Sequence, residues 1–202
     1  MLELDLYYKA KSDYLTGIDE AGRGPLAGPL VVAAVTVKND FHIEGLDDSK
    51  KLSDKTRRRL YDLILKEVID YKIEIICVED IDRLNILQAT LHGMQKACLS
   101  LQTRGYILVD GNRLPAGLAD LGSEAVIKGD HLISAIAAAS VLAKVVRDDI
   151  MIEMDSIYPQ YGFARNKGYG TREHFTSIAK YGITPAHRRS FGPIAQYFIN
   201  FE

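Results

Sequence analysis

The run Leu30-Val31-Val32-Ala33-Ala34-Val35-Thr36-Val37 constrains this chain more than any other segment. It is short, apolar and rich in β-branched residues, with no polar side to offer water. Such a run reads as a strand covered on both faces. A strand covered twice needs layers above and below it, and the flanking sequence supplies them in alternation. Residues 14–18 read as a short strand running into Asp19-Glu20. Ser53 reads as the N-cap of an amphipathic helix over about 54–70, with Leu60, Leu63, Ile64 and Val68 on one face. A strand over 73–79, a helix over about 82–101, strands over 106–109 and 125–127, and a long helix over about 131–156 follow. Strands alternating with helices in this way predict an α/β sandwich built on a mixed sheet. From Tyr158 onward the periodicity stops, leaving short helices near 172–180 and 193–199 among Gly and Pro. The expected organisation is one domain over 1–202: an α/β body to about 157 and a C-terminal helical extension over about 158–202.

The 202 residues, 47% hydrophobic and 26% charged, suffice for a core without covalent staples. Cys77 and Cys98 lack CxxC spacing and lie in apolar stretches, so both read as reduced and structural. The Met1–Asp5 segment lacks the basic-then-apolar pattern of a secretory leader. The longest uncharged runs, Gly24–Val37 and Leu132–Ala143, are too short to cross a bilayer. The expectation is therefore a cytoplasmic protein without a membrane segment. No exposed apolar stripe argues for a dimer, so a monomer is expected.

The net charge of −2 excludes a uniformly basic coat but hides an asymmetry. Residues 161–191 carry six Lys/Arg against the single acid Glu173, while residues 1–160 carry 19 basic against 25 acidic side chains. A cationic stretch beside an acidic body suits an enzyme of polyanions, although solvated surface charge explains the same numbers. The Arg57-Arg58-Arg59 run reads as a solvated helix start.

Three acidic positions stand apart by their surroundings. Asp19-Glu20 precedes the loop Ala21–Pro29, Asp110 follows the Tyr106–Val109 strand, and Asp130 precedes the long helix. Ligand sites in open α/β sheets gather at such strand ends and helix starts. Neighbouring strand residues face opposite ways, so Asp19 and Glu20 share one site only if the strand ends there. Four converging carboxylates would repel one another unless cations sat among them, and an all-oxygen set suits Mg²⁺ or Mn²⁺ better than zinc. Each position also has an ordinary reading: Asp130 as a helix N-cap, Asp110-Gly111 as a turn, Asp19-Glu20 as a strand terminus. Ser140, Lys144 and Arg147 fall on one side of the expected long helix, where Lys144 would reach a phosphate. Lys50, Lys51, Lys167, Arg188 and Arg189 are candidates for contacts to backbone phosphates. His187 would either meet a phosphate or cap a turn.

Seven blocks follow one another in order: Gly17–Pro29 (GIDEAGRGPLAGP), Asp48–Ser53 (DSKKLS), Val109–Asn112 (VDGN), Lys128–Asp130 (KGD), Ala137–Lys144 (AAASVLAK), Lys167–Thr171 (KGYGT) and His187–Phe191 (HRRSF). Together they resemble the ribonuclease HII family, the bacterial type 2 ribonucleases H. The resemblance implies a ribonuclease H-like fold, with a mixed five-stranded sheet flanked by helices and a small C-terminal helical extension. It also implies cleavage of RNA in RNA–DNA hybrids, and cleavage 5′ to single ribonucleotides embedded in duplex DNA. By motif match, Asp19, Glu20, Asp110 and Asp130 would be the catalytic, metal-binding carboxylates, holding two Mn²⁺ or Mg²⁺ ions. Gly22, Arg23, Gly24 and Tyr169 would read the ribonucleotide-to-DNA junction. Ribonucleotide removal from DNA and RNA primer removal are the implied roles. Two other readings compete: another metal-dependent nuclease of the same fold, and a binding module for hybrids without turnover.

Overall fold

The apolar run is the second strand of the sheet, and seven of its eight side chains divide between two cores. In this computed structural model, which describes residues 2–47, 49 and 52–199, the run belongs to β2 (Leu30–Lys38). β2 pairs antiparallel with β1 (Tyr14–Ala21) and with β3 (Asp70–Ile76). β4 (Tyr106–Asp110) and β5 (Ser123–Val126) extend the sheet in parallel beyond β1. The result is a mixed five-stranded sheet in the order β3-β2-β1-β4-β5.

Alternation along β2 sends Val31, Ala33, Val35 and Val37 into one core and Leu30, Val32 and Ala34 into the other. The first core is closed by α6 (Ser134–Ile157) and α2 (Asp54–Glu67), the second by α3 (Val78–Leu84) and α4 (Ile86–Leu99). The fully buried Ala135, Ala137, Ala138 and Ala139 let α6 lie close on the sheet. At Gly17 of β1 a Cβ would stand 2.1 Å from the carbonyl carbon of Ala135.

Several expected boundaries move, each for a local reason. Ser53 does cap α2, accepting from the Thr56 amide, but the helix stops at Glu67. The helix expected over 82–101 is two helices, broken at Asn85, whose backbone (φ 66°, ψ 160°) leaves the helical region and whose side chain caps α4. The long helix is likewise divided, with the single turn α5 (Gly129–Leu132) set off from α6 by the extended Ile133. The start of α6 is capped from a distance: Asp5 of α1 (Leu2–Lys9) accepts from both the amide and the hydroxyl of Ser134. β3 covers 70–76 rather than 73–79. Cys98 is buried, whereas Cys77 is exposed at the start of α3, contrary to its reading as a structural thiol.

Beyond Ile157, α7 (Phe163–Asn166), α8 (Arg172–Tyr181) and α9 (Gly192–Ile199) surround a third core. That core includes Met151 of α6 and Leu26 and Ala27 of the β1–β2 loop, so the extension is packed onto the body at the rim of the sheet. Tyr197 joins the packing; residues 200–202 lie outside the described residues. Among the described residues, no helix is long and apolar enough to cross a membrane.

Candidate active site

Sheet register brings the first carboxylates together. Ile18 pairs in parallel with Val109, so the next residues along the two strands, Asp19 and Asp110, stand side by side. Asp110 pairs with Val126 on its other side, and its Oδ1 accepts from the Gly129 amide at 2.7 Å. That bond ties the carboxylate to α5, where Asp130 is buried. Strand β1 does not end at Ile18 but runs through Ala21, with Asp19 opposite Ala33 and Glu20 opposite Val32. The two acids therefore start from opposite faces. Asp19 is buried on the α6 side, bonded to Ser140, while Glu20 borders a small cleft with Thr90, Met94 and Asp110. Glu20 also lines a larger cavity of about 420 Å³, together with Ser140 and Lys144.

Burial, followed by the negative neighbours Glu20 and Asp110, holds the Asp19 carboxyl well above the usual carboxylate range. Hydrogen bonds from Ser140 and from the Glu20 amide oppose that shift. Such a cluster, all oxygen and mutually repulsive, has the donor chemistry of a hard divalent cation site, and a cation there would reverse the penalty. Among the described residues, no group of three or more His, Cys, Asp or Glu side chains stands close enough to hold a metal ion as placed.

The larger cavity is walled by Gly22, Arg23 and Gly24 on one side and Tyr169 on another, with Ser49, Arg57, Lys144 and Arg147 behind. Gly22 has φ +104°, and a Cβ there would lie 2.1 Å from Arg147 Nε. A Cβ at Gly24 would meet only the Tyr169 ring, at 3.4 Å, so this glycine faces the gap between loop and ring. Tyr169 is 47% exposed, so its ring is not packed into the core.

Two buried guanidinium groups brace the loop from behind. Arg188 donates to the carbonyls of Gly22, Arg23, Gly28 and Pro29. Arg147 donates to those of Ala27, Pro29 and Lys167. Burial pushes Arg147 down to about 10 and Arg188 to about 9, which leaves both cationic at neutral pH. Arg188 is fully buried with its donors committed to backbone, which corrects its expected role as a phosphate contact. His187 is also fully buried and accepts from the Thr184 amide, so of its two readings it is the turn cap. Arg189 is anchored through its amide to Asp82.

A second charged group was not apparent in the sequence. Asp148, buried on α6, binds Lys144 at 2.6 Å and Arg57 at 3.3 Å. Arg57 also donates to the carbonyls of Ser49 and Leu52, so it is not the solvated residue its Arg-rich context suggested. Lys144 remains at the cavity wall, its ammonium held by Asp148, while burial lowers its pKa. Ser49 Oγ lies 2.9 Å from Ser140 Oγ and thereby joins Ser49 to Asp19 through one intervening hydroxyl. Lys50, Lys51 and Asp48 lie outside the described residues. Lys167 reaches the Asp148 carbonyl at 3.4 Å. The site as a whole offers clustered carboxylates, a cation beside them and a backbone loop opposed by an aromatic ring. That set has the charge and the donors to meet a phosphodiester.

Comparison with known proteins points the same way. The sequence profile of the family described as Ribonuclease HII matches residues 16–193. Ribonuclease HII of Clostridioides difficile (strain 630) is 52% identical over 180 residues, spanning 88% of this chain and 69% of that protein. Ribonuclease HII of Francisella tularensis subsp. novicida (strain U112) is 52% identical over 181 residues, spanning 89% and 97%. Among solved structures, ribonuclease H2 from Pyrococcus horikoshii OT3 superposes with a TM-score of 0.78 at 27% identity, over 93% of this chain and 98% of that one.

Proposed function

The chain belongs to the ribonuclease HII family and is a ribonuclease H, and from that premise we propose that it cuts RNA–DNA hybrids internally and also cuts 5′ to a single ribonucleotide in duplex DNA. The observation that carries this reading is the meeting of two assemblies on one cavity: Glu20, bordering Asp19 and Asp110, and the Gly22–Gly24 loop opposed by Tyr169.

Asp19, Glu20, Asp110 and Asp130 are the residues that would hold Mg²⁺ or Mn²⁺. A pair of such ions, when bound, lowers the pKa of a water and stabilises charge on the phosphoryl and leaving oxygens. The remaining work falls to this chain. Ser140 orients the Asp19 carboxyl through its hydrogen bond. Asp148 holds Lys144 toward the cavity, where the ammonium would meet a substrate phosphate. Hydrolysis would leave a 5′-phosphate and a 3′-hydroxyl.

Specificity requires detection of a 2′-hydroxyl, the group that distinguishes one ribonucleotide from its deoxy neighbours. With the Gly22 and Arg23 carbonyls drawn onto Arg188, the trans peptides turn the Arg23 and Gly24 amides the opposite way, as available donors. Glycine at 22 and 24 permits the sugar a close approach, and the Tyr169 ring would crowd a second 2′-hydroxyl on the next residue. Ribonucleotide removal from DNA and primer removal, by a monomer in the cytoplasm, are the roles this chemistry fits.

The test is cleavage of an end-labelled duplex carrying one ribonucleotide, beside an all-DNA duplex and a continuous hybrid, with Mg²⁺ or Mn²⁺. A single cut 5′ to the ribonucleotide, lost with EDTA, is expected. Cutting of the continuous hybrid alone would sink the junction reader, and binding without any cutting would return the chain to a binding module.

A further inference from the structure

Two histidines that the proposed reaction does not use lie at the centre of the C-terminal extension. His174 and His187 are fully buried against the rings of Tyr161 and Phe163, and their Nε2 atoms are 3.1 Å apart. Their protons follow from one fixed point. The Thr184 amide can only donate, and it lies 3.0 Å from His187 Nδ1, so that nitrogen carries the lone pair and Nε2 the proton. His187 Nε2 then donates to His174 Nε2. This leaves the His174 proton on Nδ1, which faces the Tyr169 carbonyl oxygen at 2.9 Å. This pattern satisfies these three bonds with both rings neutral, and the Thr184 hydroxyl, also 3.0 Å from His187 Nδ1, can donate to the same lone pair. Burial favours it, lowering the pKa of His174 and taking that of His187 to about 4.

The two ends of this relay are informative. His187 sits on the segment that bridges to Ala27, flanked by bonds from the Gly28 amide to the Ala186 carbonyl and from the Arg188 amide to the Leu26 carbonyl. One end is therefore stitched to the loop that begins at Gly22. The other end is the peptide of Tyr169, whose ring stands opposite Gly24. Packing alone would be met by apolar residues here, whereas directional bonds in a buried setting fix an orientation.

We propose that the Thr184–His187–His174 relay is a positioning device that fixes the Tyr169 peptide relative to the Gly22–Gly24 loop, and so sets the gap in which the sugar is tested. The proposal rests on the reading of Tyr169 as the group that meets that sugar.

The test compares His174→Phe with His174→Asn on duplex DNA carrying one ribonucleotide and on a continuous hybrid. Phe keeps the ring and removes the donor; the Asn amide restores a donor near the Nδ1 position. The relay predicts that His174→Phe lowers kcat/KM on the single ribonucleotide by about tenfold and on the hybrid by less than about twofold, the scale of a lost supporting contact. His174→Asn should recover most of the loss. Equal losses on both substrates, or none, overturn the proposal. Tyr169→Ala on the same pair separates the two levels: if it cuts the single ribonucleotide normally, the reading of Tyr169 fails and the relay with it. If Tyr169→Ala is impaired and His174→Phe is not, the relay alone is overturned. Should His174→Phe not fold, nitrogen-15 spectra of the unaltered protein at neutral pH decide, with Nδ1–H expected for His174 and Nε2–H for His187. The reverse tautomers, or a cationic ring, overturn the assignment.

Discussion

Asp110 combines a structural and a chemical role in one side chain, and the two can be separated by a single atom. Its Oδ1 accepts from the Gly129 amide, a bond that joins β4 to the turn bearing Asp130. Asparagine keeps an acceptor oxygen at that place and removes the charge. Asp110→Asn should therefore unfold at the same temperature as the parent while losing turnover by roughly a hundredfold or more, the scale of removing one electrostatic element from a site. Turnover within a few-fold of the parent would remove Asp110 from the metal site. A large fall in thermal midpoint with residual activity would make it a structural residue. Residue identity by itself is a poor guide to such roles. Arg188 and Lys144 both read as phosphate contacts in sequence, yet Arg188 spends its donors on loop carbonyls while Lys144 stays at the cavity wall.

At the scale of elements, the approach of α6 to β1 sets the site, because it places Ser140 against Asp19 and Arg147 beneath Gly22. Gly17 permits that approach. Its Cβ would fall 2.1 Å from the Ala135 carbonyl carbon and 2.3 Å from the Ile136 amide nitrogen, neither of which a side-chain rotation can move. Gly17→Ala should cost about 3 kcal/mol or more, at the upper end of overpacking penalties. For a chain this long, that is a fall of roughly 6–12 °C in thermal midpoint. A change within a degree would mean that α6 is free to shift. The legibility of the sequence follows the same division between near and far partners. β2, the Ser53 cap and the alanine face of α6 were readable because their causes lie within a few residues. The break at Ile133 was not, since the cap that starts α6 comes from Asp5. Arg57 was misread for the same reason: its buried acidic partner Asp148 is 91 positions away. Glu20 was expected beside Asp19 on a strand end, but the strand runs on to Ala21, so the two side chains start from opposite faces.

For the molecule as a whole, the buried histidine pair links the stability of the fold to pH. The ordinary His pKa of 6.5 falls to about 4 for His187 in the folded chain, and that of His174 is also lowered, because burial disfavours the charged rings. The unfolded chain therefore binds protons below pH 6.5 that the folded chain refuses until about pH 4. The contribution of His187 is fully present above pH 6.5, declines as pH falls through that window, and is gone below about 4. A shift of this size corresponds to about 3 kcal/mol in all. Asp19 acts with the opposite sign: its raised pKa makes the folded chain hold a proton more tightly, so its penalty grows as pH rises above 3.8. Urea unfolding at a series of pH values between 7 and 4 separates the two. The parent should lose stability toward acid, and His187→Asn, whose amide oxygen still accepts from Thr184 without titrating, should lose much less over the same range. Parallel curves for parent and variant would show that burial does not hold His187 neutral in the fold below pH 6.5.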